Sequence, residues 1–287
     1  MAESSDASGP GDLVLSSGSL ENPPLPELID AALAADIPAL SLWPGHYHPS
    51  YAASGSSLDE MAHRIADSGL VVQDLDAIVT WVGPDDPGGP YFEEAVERDV
   101  FELADAVAAR GVNVLQHAAT GTSLDAAAES FASVCDRAAS HGLRANLEFS
   151  RRRITPDLPT AAKVVEAAGR DNGGLTVDAW HVHFGPGRFD DLDAVPGHLI
   201  GAVQLNDAPK ELPADLDWAT RHRRAVPGAG VVDLRGLLAS LARIGSEAPL
   251  TLEVFDAPRV AELGCAGFAQ MLAESVRGIQ RSAGNAH

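Results

Sequence analysis

Positive charge is scarce in this sequence, which holds 20 lysines and arginines against 41 aspartates and glutamates. The resulting net charge of −21 repels phosphate backbones, so we expect no nucleic-acid partner. Cysteine is rare too. The only two, Cys135 and Cys265, lie in helix-like segments far apart in the sequence, and they predict buried free thiols in a cytoplasmic protein.

Long apolar runs are also missing. None approaches the ~20 residues that a membrane-spanning helix needs, so we expect no membrane partner. The first residues, MAESSDASGPGD, have no basic end followed by an apolar stretch. They predict a short disordered tail over residues 1–11 and not a signal peptide.

Strand-like and helix-like patterns alternate along the rest of the chain. This alternation predicts a single (β/α)8 TIM barrel that forms one catalytic domain over residues 12–287. A doubly wound open sheet is the alternative, but it requires a glycine-rich phosphate loop after the first strand, and SSGSLENPP is a poor match. The predicted strands cover residues 12–16, 38–43, 70–75, 112–117, 143–149, 174–178, 199–205 and 250–255.

Four polar residues stand near the ends of the last four predicted strands. They are Glu148 in RANLEFS, Asp178 in GLTVDAWH, Gln204 in GAVQLND and Glu253 in PLTLEVF. Each lies among apolar residues, where a lone charge is costly to bury. Converging from parallel strands, these oxygens would form a divalent-metal site, with Mg²⁺ or Mn²⁺ favoured and Co²⁺ as an alternative.

The same residues offer acid–base chemistry. A carboxylate that binds a metal through one oxygen can take a proton on the other, so Glu148 and Glu253 are candidate bases. His181 follows Asp178 by three residues and is a candidate for proton transfer or for a hydrogen bond to a substrate oxygen. For any single acidic residue, a salt bridge at a strand end is the simpler interpretation. Four on consecutive strands favour a site.

The order of motifs resembles the xylose-isomerase-like TIM barrels. These motifs are a glutamate, then D-x-x-H, then a polar residue followed by Asp207, then R-x-x-P-G-x-G, then L-E-V. The resemblance covers nearly the whole chain and is firmest over 140–256. It implies the metal ligands Glu148, Asp178, Gln204 and Glu253, with His181 and Arg224 contacting the substrate and Asp207 a further candidate for such a contact.

The resemblance implies an isomerase or epimerase that removes a proton next to a carbonyl of a small polyhydroxylated substrate, through an enediolate-like intermediate. Most epimerases of the superfamily have histidine where this chain has Gln204. The segment around it is more similar to bacterial 3-dehydroshikimate dehydratases, so a dehydratase of the 3-dehydroshikimate or inosose type is an alternative. A non-catalytic metal- or sugar-binding barrel is a second alternative. Endonuclease IV, in the same superfamily, is excluded because its additional histidine ligands are missing here.

Basic residues cluster in two places beside the predicted active-site face, at 151–153 and at 221–224. They predict either an anionic substrate, with Arg224 the best candidate to bind it, or pairing with local acids. His46, His117 and Trp43 are further candidates for the pocket wall, although hydrogen bonding in loops and core packing explain such residues as well. A homodimer is left open.

Overall fold

The predicted barrel is confirmed by a computed structural model that describes residues 11–50, 56–82, 97–118, 121–211 and 214–284. Eight parallel strands close into a barrel in sequence order, with β8 pairing back onto β1. Residues 1–10 of the predicted tail lie outside the described residues. The strands are β1 (Leu13–Ser16), β2 (Ala39–Leu42), β3 (Val71–Val82), β4 (Gly111–Ala118), β5 (Arg144–Glu148), β6 (Gly173–Asp178), β7 (Ile200–Leu205) and β8 (Leu250–Leu252).

Helices surround this barrel, and several begin at residues that cap them. Ser57 and Glu60 form a reciprocal capping box, Ser123 accepts from Ala126 N, and Asp157 accepts from Thr160 N. No helix in the described parts of the chain combines the length and apolar character of a membrane span. The helices are α1 (Leu25–Ala34), α2 (Pro44–Tyr47), α3 (Leu58–Ser68), α4 (Glu97–Val107), α5 (Leu124–Ser140), α6 (Leu158–Ala168), α7 (Ala179–Phe184), α8 (Leu216–His222), α9 (Leu234–Arg243) and α10 (Ala257–Gly284).

Two elements differ from the sequence prediction. β3 continues to Val82, because the chain beyond Asp76 is rich in β-branched residues that suit a strand, although the pairing register with β4 shifts between Leu75 and Ile78. The sequence pattern over residues 189–195 is helix-like and predicts an α-helix, but the structure forms a 3₁₀ helix there, Phe189–Ala194. Neither difference changes the topology.

The interior of the barrel is polar at several levels. Asn146 on β5 is buried, and a β-carbon on Gly174 or on Gly201 would lie 2.5 or 1.9 Å from its Oδ1. Only glycine therefore leaves room for this side chain across the barrel. The apolar side chains instead form the layer between the strands and the surrounding helices.

The long segment after β7 is held by Asp207. Its Oδ1 accepts from the backbone N–H of Ala208 and Val232, each at 2.8 Å, and its Oδ2 accepts from those of Gly228 and Gly230, each at 2.9 Å. Asp207 is only 1% exposed. Both oxygens are therefore used in supporting the loop, which argues against the expected contact with substrate.

We predict that Asp207→Ala lowers the free energy of unfolding by ~3 kcal/mol or more, because it leaves several buried N–H groups without an acceptor. Asp233→Ala is the matched control. Asp233 also accepts a backbone N–H, that of Gly236, but at the exposed start of α9, where the loss is about 1 kcal/mol. Urea denaturation of both variants measures the difference, and equal losses would contradict the role given to Asp207.

Candidate active site

The four predicted metal ligands meet at the carboxyl end of the barrel. Glu148 is the last residue of β5 and Asp178 the last of β6, Gln204 is one residue from the end of β7, and Glu253 directly follows β8. Asp178 and Gln204 are direct neighbours in the pairing of β6 with β7. The Gln204 Nε2 donates to Glu253 Oε1 at 3.3 Å. All four side chains are buried.

Arg224 lies among these ligands. Its Nη1 is 2.9 Å from Asp178 Oδ2 and 2.7 Å from Glu253 Oε2, and the side chain is only 4% exposed. The guanidinium also lies over the rings of Phe255, at 4.6 Å, and Trp180, at 5.8 Å. Arg224 therefore acts as the local counter-ion of two carboxylates, and it also reaches the cavity wall where the sequence placed a substrate contact.

Asp178 has its two oxygens in different environments. Its Oδ1 accepts from Asn206 Nδ2 at 2.7 Å and from the backbone N–H of Trp180 at 2.8 Å, at the start of α7. Its Oδ2 faces Arg224 and also His181 Nε2, which is 3.7 Å away. The hydrogen bonds to Oδ1 thus fix the carboxylate so that Oδ2 turns toward the other site residues.

His181 joins the cluster as the D-x-x-H spacing predicts. Its Nε2 is 3.2 Å from Glu148 Oε1. Glu148, Asp178 and His181 each offer a ligand atom, and these atoms all lie within 4.8 Å of one another. The histidine is thus placed to share a proton with Glu148 or to support it as a ligand.

Negative charge exceeds positive charge at this end of the barrel. Burial raises the pKa of Glu253 well above its ordinary value, and Arg224 opposes that rise. Burial also raises the pKa of Asp178, but the charges of Arg224 and His181, with hydrogen bonds from Asn206 and Trp180, outweigh burial. The pKa of Asp178 therefore lies below its usual value. Asp76 on β3 adds a further acid, and burial, with the charge of Glu148, raises its pKa to about 7.

These residues fit a divalent cation. Gln204 Oε1 is buried and accepts no hydrogen bond from the residues that the structure describes, whereas the buried Asp178 Oδ2 has the ion pair with Arg224. A buried oxygen without a donor, next to carboxyls whose charge is only partly offset by Arg224, is what a cation would satisfy. Carboxylate and amide oxygens suit hard ions, and His181 would add one nitrogen.

A cavity of about 850 Å³ opens above this cluster. His46, His117 and Trp43 all line it, as predicted for the pocket wall. Trp43 packs edge-on against Phe255, with ring centroids 5.7 Å apart. His117 contacts Arg153, and burial, with the charge of that arginine, lowers the pKa of His117 to about 4.

Arginines form the outer wall of the cavity. Arg151 and Arg152 both contact Asp217 of α8, with Arg151 Nη2 2.6 Å from Asp217 Oδ1. Arg153 and Arg221 also line the cavity. Two of these arginines therefore pair with a local acid, and all four line the cavity.

Sequence reasoning missed three polar residues of the site, of which Asn113 and Asn206 are buried and Asp76 is half-buried. Asp76 lines the cavity, Asn113 on β4 donates to both Asp76 and Glu148, and Asn206 donates to Asp178. The period-2 pattern that identified Glu148 also places Asn113 on the inner face of its strand, four residues before His117. This alternation is the sequence signal that could have identified Asn113 as a residue of the site.

A second group, His48 with Asp99 and Glu102, also brings possible ligand atoms together. Arg98 contacts both of its acids, at 2.7 Å from Asp99 Oδ1 and 3.6 Å from Glu102 Oε1. His48 lies against α4 here, whereas His46 faces the cavity. His46 and His48 therefore lie in different environments and do not face one common site.

We predict a pH-dependent effect of Asp76→Asn on the metal-free protein. Because the folded-state pKa of Asp76 is about 7 and the unfolded value is near 4, the folded state keeps a proton that the unfolded chain has lost. The contribution of Asp76 to the free energy of unfolding is therefore fully present at low pH and is lost as the pH rises from about 4 to about 7.

Thermal unfolding in EDTA at pH 5 and pH 8 measures this effect. Asp76→Asn should melt near the wild type at pH 5 and several degrees higher at pH 8. Asp59→Asn, at an exposed position of α3, is the control and should follow the wild type at both values. A pH-independent difference for Asp76→Asn would contradict the prediction.

Comparison with known proteins finds two kinds of relative that match part of this sequence. A segment of 130 residues, 45% of this chain, is 35% identical to a 3-dehydroshikimate dehydratase of Pseudomonas aeruginosa, and it covers 20% of that protein. Another match of 130 residues is 30% identical to an inosose isomerase of Bacillus velezensis and covers 45% of each protein. The chain thus matches less than half the length of these relatives, which are named as enzymes.

Solved structures support the fold over nearly the whole chain. The IOLI protein with a bound zinc atom superposes with a TM-score of 0.81 at 19% identity, covering 95% of this chain and 99% of that one. An L-ribulose 3-epimerase superposes with a TM-score of 0.71 at 17% identity, covering 96% of each chain. The family described as xylose isomerase-like TIM barrel matches residues 29–274, and this chain therefore belongs to that family.

Proposed function

We propose that this protein is a divalent-metal-dependent isomerase or epimerase that removes a proton next to a carbonyl of a small polyhydroxylated substrate. The observation that carries the proposal is the convergence of Glu148, Asp178, Gln204 and Glu253 at the carboxyl end of the barrel, with Gln204 Oε1 buried and without a donor among the described residues. The relatives named inosose isomerase and the fold neighbour named L-ribulose 3-epimerase support it.

In this proposal the four residues hold Mg²⁺ or Mn²⁺, with Co²⁺ as an alternative. A bound ion of this kind polarises a substrate carbonyl and stabilises the negative charge of an enediolate. The all-oxygen set contributed by the strands argues for a hard cation, whereas one solved neighbour is described as binding zinc.

Glu148 and Glu253 are the proposed bases. Glu148 Oε1 lies 3.2 Å from His181 Nε2, so a proton that Glu148 accepts from carbon can pass to the histidine, and His181 can return a proton to a substrate oxygen. Glu253 lies on the opposite side of the cluster, where its Oε1 accepts from Gln204 and its Oε2 contacts Arg224. Trp43, Trp180 and Phe255 line the cavity with apolar surface and limit water near these groups.

The proposed substrate is a small anion or a polyol. Five arginines, at 151, 152, 153, 221 and 224, line the cavity of a protein whose net charge is −21. Arg151 and Arg152 already hold one carboxylate, that of Asp217, which shows that their guanidinium groups can share a single anion. His46 and His117 are the proposed polar contacts on the same wall.

A dehydratase is the second candidate, and Gln204 favours it. The resemblance to 3-dehydroshikimate dehydratases was strongest around this residue, and proteins of that name in two Pseudomonas species match segments of this chain at 35% and 36% identity. The same proton abstraction serves both reactions. Loss of a hydroxyl group from the neighbouring carbon gives dehydration, and return of the proton gives isomerisation.

We predict that the wild type binds one Mn²⁺ per chain and that Glu253→Gln binds it at least ~10-fold more weakly, because a carboxylate ligand is replaced by a neutral amide. Glu97→Gln is the matched control, since Glu97 lines the same cavity but pairs with Arg137. Titration calorimetry measures the three affinities. Equal affinities for wild type and Glu253→Gln would refute the proposed ligand set.

The reaction is tested in D₂O with Mn²⁺ and three substrate types: keto sugars, inososes and 3-dehydroshikimate. An isomerase introduces deuterium at the carbon next to the carbonyl, which NMR detects in the recovered substrate and product. A dehydratase releases water and forms a conjugated product with a new ultraviolet absorption. Glu148→Gln should abolish either outcome. Turnover without deuterium incorporation and without loss of water would exclude both candidate functions.

A further inference from the structure

Asn113 occupies the centre of a hydrogen-bond network inside the barrel. Its Nδ2 donates to Asp76 Oδ1 at 2.8 Å and also to Glu148 Oε2. Its Oδ1 accepts from Thr176 Oγ1 at 2.8 Å. Asn113 is 3% exposed and Thr176 is 1% exposed, so the amide and the hydroxyl lie away from bulk solvent.

The chemistry of the partners fixes the orientation of the amide. Carboxyl oxygens accept hydrogen bonds, so the NH₂ group faces Asp76 and Glu148, and the carbonyl oxygen then faces the Thr176 hydroxyl. Thr176 lies on β6, and β4 and β6 are not neighbours in the barrel. This hydrogen bond therefore crosses the barrel interior, and the side chain of Asn113 links four strands, β3 to β6, through its three hydrogen bonds.

We infer that Asn113, held in place by Thr176, is the positioning residue that fixes the Glu148 carboxylate for binding a cation and for proton transfer. The inference rests on the metal site proposed above. The amide holds Oε2 of Glu148, and Oε1 is left facing His181 Nε2 at 3.2 Å. Each oxygen of the glutamate thus has one defined partner.

The network couples two carboxyl groups that would otherwise repel each other. Asp76 and Glu148 share one amide, so the same contact that orients Glu148 also holds the cavity-lining Asp76. A neutral donor between the two acids reduces the cost of placing them side by side. An apolar residue at position 113 would fill the space but would leave both carboxyls without this donor.

Thr176→Val tests the inference without removing Asn113 itself. The substitution keeps the shape of the side chain and removes only the hydroxyl that anchors the amide. Thr251→Val is the matched control. Like Thr176, Thr251 is 1% exposed and precedes a proposed ligand by two residues, but its Oγ1 has no hydrogen-bond partner among the described residues.

Titration calorimetry with Mn²⁺ alone gives the first readout. Loss of a side chain that supports a ligand typically weakens metal binding 10–100-fold, so we expect ~10-fold weaker binding for Thr176→Val and little change for Thr251→Val. Thr176→Ser restores the hydroxyl and should recover near wild-type affinity. Thermal unfolding of all three variants confirms that they are folded.

Crystal structures of the metal-free wild type and Thr176→Val give a second readout that does not depend on metal. The Glu148 carboxylate should be rotated or disordered in the variant. Equal Mn²⁺ affinities for Thr176→Val and Thr251→Val, or an unmoved Glu148, would overturn the inference. A wild type that binds no Mn²⁺ would instead refute the metal site, and the position of Glu148 in the two crystal structures would then decide the inference.

Discussion

The site depends on one constraint: several carboxyl groups lie close together, and Arg224 is the one buried arginine that contacts them in the described parts of the chain. Glu148, Asp178 and Glu253 are buried at the carboxyl end of the barrel beside the half-buried Asp76, and Arg224 contacts Asp178 and Glu253. Buried charges of one sign raise each other's pKa and are costly to keep ionised. A divalent cation would remove most of that cost, which is why the electrostatics and the ligand geometry lead to the same proposal.

The position of Arg224 is in turn set by the loop after β7. Asp207 exchanges two backbone hydrogen bonds with Ala225, the residue that follows Arg224. Its carboxylate also accepts hydrogen bonds from the backbone N–H groups of Gly228 and Gly230 in the next turn. A β-carbon on Gly230 would lie 2.1 Å from the Ala208 carbonyl oxygen, so the tight path requires glycine there. Phe255 and Trp180 then hold the guanidinium group. The R-x-x-P-G-x-G motif thus has a structural reason: it delivers one arginine to the floor of the cavity.

The sequence predicts the barrel well because strand ends, caps and apolar faces are local features. It also predicts which carboxylates converge, since the ends of parallel strands share one edge. It does not predict Asn113 or Thr176, because an uncharged polar residue inside a strand carries no local sign of its partner three elements away. The role of Asp207 in supporting the loop was not predicted for a related reason: the backbone N–H groups that its carboxylate accepts from belong to glycines distant from it in sequence.

The cavity has opposite charge at its two ends, and this arrangement constrains any substrate. Carboxyls lie at the floor, and Arg151, Arg152 and Arg153 lie on the outer wall. The carboxyls at the floor and the negative charge of the whole protein repel an anionic group. At physiological salt, however, charges more than about 8 Å away are screened. An anion close to the outer wall therefore interacts mainly with the arginines there. An anion would therefore be held at the outer wall, and the uncharged carbonyl end would extend toward Glu148 and Glu253. The same charge distribution would disfavour the reverse orientation, so electrostatics alone would select which carbon of the proposed substrate meets the base.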